Sequence, residues 1–405
     1  MEKKKKPKKW MKFRHKVVTE LLRGILGTYS RWKYGIKVEK FKEQGNRQYL
    51  VVMNHQTAFD QFFLGMAFKG PIYYIASEDL FSNGFVSTLI RFLVAPIPIK
   101  KQTTDINAVM TAIRVAREGG TIALAPEGNR TFSGKTEYMN PAIGGLARKL
   151  KLPLAIFRIE GGYGVQPRWS DVVRKGKMRG YVSKVIEPEE LAKMTNDQVC
   201  ELIKQELDVN EAAADACFYH KKSAEYLDRA MYVCPDCGLS TFHSHNDIIE
   251  CTKCGKQIRY LPTKELKGVN CEFPFSFVAP WYDYQCDYIN SLDLTRFEAE
   301  PAYRDTVRLS EVIVYKRKIL LSKAIQASLF GNRIVLDDRN VHMDFEFSKL
   351  QAVTVLGKNK INIYTGTQVF QLKGDKHFNA LRYVNFFYRW TNMNTEDGHG
   401  KFLGL

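Results

Sequence analysis

The chain predicts an α/β domain, a mixed sheet covered by helices, followed by a small cysteine-rich module and a C-terminal β-rich, barrel-like domain. Three observations carry this. Short apolar runs alternate with helical patterns over residues 31–208, four cysteines fall as two Cys-x-x-Cys pairs within 229–262, and closely spaced alternating segments fill 303–392. With 405 residues, 45% of them hydrophobic and 26% charged, the chain can fill several cores and lacks the composition of a disordered protein.

Charge is placed unevenly. Lys and Arg number 61 against 43 Asp and Glu, a net +18, and residues 1–48 alone hold 16 basic and 4 acidic side chains. A chain basic throughout would suit nucleic acid, which is not an expected partner here; one basic at its start suits an anionic surface. Within residues 1–30, Phe13, Val17, Leu21, Leu22 and Ile25 recur at helical spacing. Lys12, Lys16, Glu20 and Arg23 fall on the other side, behind Lys3–Lys6, Lys8 and Lys9. This is the pattern of a basic amphipathic helix in contact with a phospholipid membrane surface; packing of the same helix on a domain core is the alternative. No stretch reaches the roughly 18 uncharged apolar residues of a membrane span. The nearest, Gly84–Ile99, is broken by Arg91, Pro96 and Pro98. Eight cysteines, four of them in Cys-x-x-Cys pairs, suit a reducing compartment. The expectation is a cytoplasmic protein, peripheral on the cytoplasmic face of the membrane.

Along residues 31–208, Tyr49–Met53, Ile72–Ala76, Thr121–Ala125, Leu154–Ile159 and Met178–Ile186 read as strands. Ile106–Arg117, closed by Gly119, then Pro141–Leu150 and Pro188–Glu206 read as helices. Residues 209–228 are polar and read as a helical connector. Residues 263–302 form an aromatic-rich linker with a helix near Tyr282–Leu292. In 303–392, seven short strand patterns from Val312 to Leu372 precede a helix at His377–Trp390, and together they resemble a pleckstrin-homology-like domain. On it Lys358, Lys360, Lys373 and Lys376 offer either a lipid-head-group patch or ordinary solvated charge.

The chemistry concentrates in a few short blocks. Asn54-His55-Gln56-Thr57-Ala58-Phe59-Asp60 follows an apolar strand. Residues five apart sit about 140° apart on a regular helix, so His55 and Asp60 converge only if the histidine precedes the helix. Thr57 as N-cap would place Asp60 in the first turn, where its carboxylate can orient an imidazole and stabilise the imidazolium. The alternative is a cap in which Asp60 bonds the backbone at Thr57 and His55 is an ordinary loop residue. Ala125–Gly134 follows a buried strand. In it Gly128 permits close backbone approach, and Arg130 offers a forked cation suited to phosphate oxygens. Between these blocks, Ala95–Ile99 delivers Lys100 and Lys101 at the end of an apolar strand.

Taken in order, these blocks resemble the four motifs of the glycerolipid acyltransferases that include 1-acyl-glycerol-3-phosphate acyltransferase. Asn54–Asp60 matches the Asn-His-x4-Asp block, Ile97–Lys101 the strand that usually ends in a phosphate-binding Arg, Pro126–Arg130 the Pro-Glu-Gly-x-Arg block, and Leu152–Ala155 the Val-Pro-Ile-like block. The resemblance covers roughly residues 15–190. Lysine stands where the second block usually has arginine, and Asn129 where the third usually has Thr or Ser. The resemblance implies an acyltransferase domain over 31–208. It also implies a thioester donor, carried by coenzyme A or acyl carrier protein, and lysophosphatidate as acceptor at its sn-2 hydroxyl. His55 would be the general base and Asp60 its partner; Lys100, Lys101, Glu127, Gly128, Asn129 and Arg130 would hold the acceptor phosphate. No Ser or Cys lies inside the His55 block, so direct transfer without an acyl-enzyme is expected. A lysophospholipid-remodelling enzyme with a larger head group, and a non-catalytic lipid or nucleic-acid adaptor, are the alternatives.

Cys234-x-x-Cys237 and Cys251-x-x-Cys254 are separated by 13 residues. Two such knuckles on a short β-rich loop supply four thiolates for a tetrahedral zinc, as in a zinc ribbon over 229–262. With no open position the zinc would be structural. A redox dithiol, or His243 or His245 as substitute ligands, are the other readings. Cys200, Cys217, Cys271 and Cys286 have no useful spacing and read as buried apolar thiols.

Overall fold

The computed structural model describes residues 9–99, 105–211 and 216–394, and the chain divides into two units. The first holds the described residues up to Arg130, Met139–Glu160 and Lys177–Val209; the second holds Thr131–Tyr138, Gly161–Gly176 and the described residues from Asn210 on.

In the first unit the elements are α1 (Phe13–Tyr34), β1 (Ile36–Val38), β2 (Leu50–Met53), α2 (Asp60–Ala67), β3 (Ile72–Ser77), α3 (Phe85–Leu93), β4 (Ile97–Ile99), α4 (Ile106–Arg117), β5 (Thr121–Leu124), α5 (Ala142–Leu150) and β6 (Leu154–Glu160). A short α6 (Gly162–Val165) falls in the second unit, and β7 (Met178–Ile186), α7 (Pro188–Ala192) and α8 (Asn196–Leu207) complete the first. The strands form one seven-stranded sheet in the order β1-β7-β6-β2-β5-β3-β4. β2 runs parallel to both neighbours, with Leu50 opposite Ile122 and Leu154, while β6 and β7 are antiparallel, so the sheet is mixed as expected. Its central strands are continuous apolar runs: on one face Val52, Ile122 and Ile156 pack with Ala112 and Val115 of α4, Ile143 of α5, and Val199 and Ile203 of α8, and α2 lies against β1 and β7. Parallel β2, β3, β4, β5 and β6 all point their carboxyl ends to one edge of the sheet. That edge is where an α/β fold offers ligand loops.

Two helices differ from expectation. Pro188–Glu206 is broken into α7 and α8, because Thr195 and Gln198 cap each other reciprocally and start a new helix. α1 continues to Tyr34, where Gly35 at φ 63° ends it and its N–H donates to the Arg31 carbonyl. The orientation of α1 is informative. Its inward residues are His15, Gly27, Ser30 and Tyr34, whereas Phe13 (82% exposed), Val17, Leu21, Ile25 and Trp32 (80%) face outward. α1 is held by Arg23, which donates to the Gly65 and Gly70 carbonyls, and by Arg14, which donates to the Phe92 carbonyl and stacks over the Phe92 ring. α3 likewise turns Phe85, Val86, Leu89 and Phe92 outward.

The second unit contains the cysteine-rich module, with β8 (Val233–Cys234), β9 (Gly238–Leu239), β10 (Phe242–His245), β11 (Ile248–Cys251), β12 (Gln257–Tyr260) and β13 (Leu266–Gly268), then α9 (Val278–Ser291). β10 to β13 form an antiparallel sheet, so the module runs past residue 262 to Gly268. β14 (Tyr303–Ile313), β15 (Arg317–Leu329), β16 (Arg333–Asp337), β17 (His342–Glu346), β18 (Ala352–Leu356), β19 (Lys360–Tyr364) and β20 (Val369–Lys373) precede α10 (Leu381–Asn394). These strands form a curled antiparallel sheet in the order β17-β16-β15-β14-β20-β19-β18. It is a half-barrel, not a closed barrel: its end strands β17 and β18 do not pair with each other, and α10 packs against β18. β14 and β15 are much longer than the short runs expected there, since a bulge near Leu309 lets one hairpin continue through the bend.

Other expectations need correction. Residues 209–228 hold no α-helix among those described; they run as turns and extended chain, with Lys175 and Tyr219 pairing backbone to backbone. Of the four remaining cysteines only Cys286 is buried, while Cys217 is exposed and Cys200 and Cys271 are half-buried. Lys358 is no free patch residue, for its ammonium pairs with Asp171 at 2.7 Å.

Phe218 explains part of the unit's glycine content. Its ring lies where a Cβ on Gly164 or on Gly176 would stand. Overpacking typically costs about 1–3 kcal/mol. Gly164→Ala and Gly176→Ala should each lower stability by at least that amount in urea unfolding, whereas Gly366→Ala, whose Cβ would meet only the tip of Gln351, should not.

Candidate active site

The loop leaving β2 is fastened first at Asn54. Its side-chain amide donates to the Ile159 carbonyl at 2.8 Å and accepts from the Ile159 N–H at 2.8 Å, which extends the β2–β6 pairing by one side chain. The chain then turns so tightly that the Asp60 carboxylate collects the N–H of Gln56 at 2.7 Å, the N–H of Thr57 at 2.9 Å and the Thr57 hydroxyl at 2.7 Å. His55 Nδ1 lies 2.7 Å from the same carboxylate. Thr57 is therefore not the N-cap. The helix begins at Asp60 after Phe59, whose N–H donates to Thr57 Oγ1 at 3.0 Å. The two arrangements open from the sequence hold together, since Asp60 bonds the backbone of the turn and the imidazole at once.

This geometry assigns the imidazole tautomer. Everything else facing Asp60 is a donor and the carboxylate only accepts, so Nδ1 carries a proton and Nε2 keeps its lone pair. Asp60 has no exposed side-chain surface, while His55 retains 26%, so the pair is anchored inside and open at the ring.

The loop leaving β5 meets the first through Glu127, whose Oε1 accepts the His55 N–H at 2.9 Å. Ala125 and Gly128 close a turn, with the Gly128 N–H donating to the Ala125 carbonyl at 3.0 Å. Gly128 has φ +68°, a conformation that favours glycine over residues with a Cβ. Asn129 is half-buried and Arg130 buried. Tyr34 lies near enough to both Asp60 and Arg130 to be influenced by their charges. Burial chiefly raises its hydroxyl above the ordinary range, Tyr29 and Asp60 raise it further, and Arg130 opposes them. The Tyr34 hydroxyl therefore lies in the fields of both the Asp60 carboxylate and the Arg130 guanidinium. Its ring packs on Phe59 and Phe63 at centroid distances of 5.1 and 5.5 Å. Nothing in the linear spacing marked Tyr34; a buried tyrosine closing an amphipathic helix was the only available signal. The structure thus joins His55, Asp60 and Glu127 by hydrogen bonds, and Arg130 and Asp60 both act electrostatically on the Tyr34 hydroxyl. Lys100 and Lys101 lie outside the described residues; β4, which leads to them, ends on the same edge of the sheet.

In the second unit, Cys234, Cys237, Cys251 and Cys254 bring their sulfurs within 4.8 Å of one another, the Cys234 and Cys254 Sγ atoms being 3.8 Å apart. Sulfurs bound at about 2.3 Å around one tetrahedral ion are about 3.8 Å apart, so the set fits a metal. The knuckle backbones turn N–H groups of Asp236 and Cys237 toward Cys234, and of Lys253 and Cys254 toward Cys251. The Ser240 hydroxyl lies 3.1 Å from Cys251 Sγ. Such donors support thiolate charge. His243 and His245 are not in the cluster.

No curated protein sequence matches the chain. Among solved structures the chain is similar to the 1-acyl-sn-glycerophosphate (LPA) acyltransferase PlsC from Thermotoga maritima, with 23% identity over 48% of this chain and 79% of that one and a TM-score of 0.40. It also has a slighter likeness to the N-terminal PH domain of human ARAP2, with 12% identity over 23% of this chain and 83% of that one and a TM-score of 0.19. The family model named Acyltransferase matches residues 35–159. That span carries β2, the His55–Asp60 pair and the Pro126–Arg130 loop, and with it the chain contains a domain of the Acyltransferase family.

Proposed function

We propose that this domain transfers a fatty acyl group from a coenzyme A or acyl-carrier-protein thioester to the hydroxyl of a lysophospholipid, foremost converting 1-acyl-glycerol-3-phosphate to phosphatidic acid at a membrane surface. The observation that carries this is the 2.7 Å contact between His55 Nδ1 and a carboxylate fully buried among donors, which leaves Nε2 as a base. The thioester is already activated, so the demanding step is making the hydroxyl nucleophilic near neutral pH. Nε2 takes the hydroxyl proton as the oxygen attacks the carbonyl carbon, and Asp60 balances the imidazolium. The carbon–sulfur bond then breaks, and the departing thiolate recovers the proton. Glu127, Gly128, Asn129 and Arg130, with Lys100 and Lys101, hold the acceptor phosphate and so place the hydroxyl.

A substrate dissolved in a bilayer requires the enzyme to dock there. Burying a large apolar side chain is worth about 1.5–3 kcal/mol. A chain that turns Phe13, Val17, Leu21 and Ile25 of α1 and Phe85 and Leu89 of α3 outward forgoes that gain unless lipid covers them. Exposed Lys9, Lys12 and Lys16 beside them suit anionic head groups. No helix among the described residues is long and apolar enough to cross a membrane. The four-cysteine cluster holds a structural zinc. Cys234, Cys237, Cys251 and Cys254 fill its coordination, leaving no position for chemistry.

Thiol release from acyl-coenzyme A and from acyl-carrier-protein thioesters, measured against a panel of lysolipid acceptors, tests the activity. His55→Ala should lose about 10²–10⁴-fold in kcat with an unchanged circular dichroism spectrum. Retention of more than a few per cent of the rate would remove His55 from the base role. Val17→Glu/Leu21→Glu should weaken sedimentation with vesicles containing phosphatidylglycerol, and salt should weaken the wild-type interaction. Undiminished binding by the double variant would move the docking surface elsewhere. Metal analysis should return one zinc per chain, lost in Cys237→Ser with a lower unfolding temperature; a metal-free, equally stable wild type would refute the zinc assignment.

A further inference from the structure

Within the second unit, and outside its four-cysteine cluster, stands another imidazole backed by a buried carboxylate. His377 Nδ1 lies 2.7 Å from Asp228 Oδ2, which also accepts the Ser244 N–H at 3.2 Å. The Asp228 side chain is only 2% exposed, that of His377 38%. The carboxylate only accepts, so Nδ1 carries the proton and the lone pair of the neutral ring sits on Nε2. The surroundings hold this pair in place. The Asn379 side chain donates to the Asp228 carbonyl at 2.8 Å, the His377 N–H donates to Asp375 Oδ1 at 2.8 Å, and the Tyr226 ring packs 5.0 Å from that of His377.

β10 brings a second imidazole to it. The strand buries Ser244, whose hydroxyl accepts the Tyr226 N–H at 2.8 Å, and leaves His243 exposed. The His243 and His377 ring centres are 5.8 Å apart. Two imidazoles whose nitrogens stand about 2.0–2.1 Å from one tetrahedral ion have ring centres about 5–6 Å apart. Histidines that ligate metals usually donate their other ring nitrogen to a carboxylate, which fixes the ring and makes it a stronger base. Asp228 does both, its hydrogen bond raising the His377 pKa above the ordinary value against burial and the charge of Arg229. One demand is left over. Asp228 Oδ1 is buried and has no hydrogen-bond partner among the described residues. Arg229, next in the chain, is committed to Asp171 and to the Trp169 carbonyl, each at 2.8 Å. A buried carboxylate so placed favours positive charge on the far side of the His377 ring.

We propose that His243 and His377, with Asp228 behind His377, form a second metal site that takes a divalent first-row ion of the class that prefers imidazole, Zn²⁺ foremost. Two protein ligands leave the other positions to water or to a group from outside, so this site is open and exchangeable, unlike a four-thiolate site. An ion held there joins β10 of the cysteine-rich module to the segment that leads into α10. It therefore stabilises the second unit, and its presence is independent of acyl transfer in the first.

Calorimetric titration of Zn²⁺ into the tag-free full chain, with uptake counted beyond the metal already present, tests the proposal. Wild type should bind one further equivalent, and its unfolding temperature should rise with free Zn²⁺. His243→Gln and His377→Gln should each weaken that uptake about tenfold or more, and Asp228→Asn should weaken it about 10–100-fold. If Asp228→Asn fails to fold, the two histidine variants decide, His243 being exposed. His245→Gln, on the same exposed face of β10, and His55→Ala, which removes the other carboxylate-backed imidazole, should keep the further equivalent. No uptake beyond the metal already present, as expected of a His377 ring that is simply protonated, overturns the proposal. Uptake that survives in His243→Gln and His377→Gln but is lost in His245→Gln or His55→Ala overturns it as well.

Discussion

Everything in the candidate site depends on one buried carboxylate. Asp60 would be a costly charge in a closed interior, yet it is surrounded by the N–H groups of Gln56 and Thr57, the Thr57 hydroxyl and the imidazole of His55. Satisfying it shapes the turn between β2 and α2, starts the helix at Asp60 and fixes the ring of His55 in one tautomer. Structure and chemistry are here the same set of hydrogen bonds. A neutral residue at this position would leave the turn's donors facing a poorer acceptor and free the imidazole to reorient.

The sheet supplies the rest of the precision. β2 and β5 are adjacent and parallel, so the loops that leave them start from neighbouring points of one edge. The Glu127 carboxylate bridges those loops at the His55 backbone, and Asn54 fastens the first of them to β6. A site built this way is rigid at its base, where backbone pairing holds it.

The two units are interleaved in the chain. Thr131–Tyr138 and Gly161–Gly176 leave the first unit and the chain then returns to it, each after a strand that ends at the site's edge of the sheet. The second unit's core joins Phe132 and Trp169 from these excursions to Tyr260 of the cysteine-rich module and Leu309 of the half-barrel sheet. The hydrophobic collapse of that unit therefore recruits pieces of the chain that, by position alone, belong with the first unit.

Much of this was legible in the order of residues. Apolar runs marked β2, β5 and β6, because the covered central strands of the sheet demand nearly uninterrupted burial. His55, Asp60, Glu127 and Arg130 were identifiable because their chemistry is rare at the ends of such strands. The cysteine pairs were identifiable because their spacing suits one tetrahedral ion. Other features depended on packing between residues far apart in the chain. Sequence periodicity grouped Phe13, Val17, Leu21 and Ile25 on one face of α1 but could not say that His15, Gly27 and Ser30 would be the face turned inward. Nor could it show Tyr34 in the fields of both Asp60 and Arg130, the open edges of the half-barrel, or Phe132 drawn into a core shared with Trp169 and with residues from Ala224 to Tyr388. Local pattern determines which residues share a strand or a helix face. Which faces meet is a competition among all the apolar surfaces of the folded chain, and only the tertiary structure records its result.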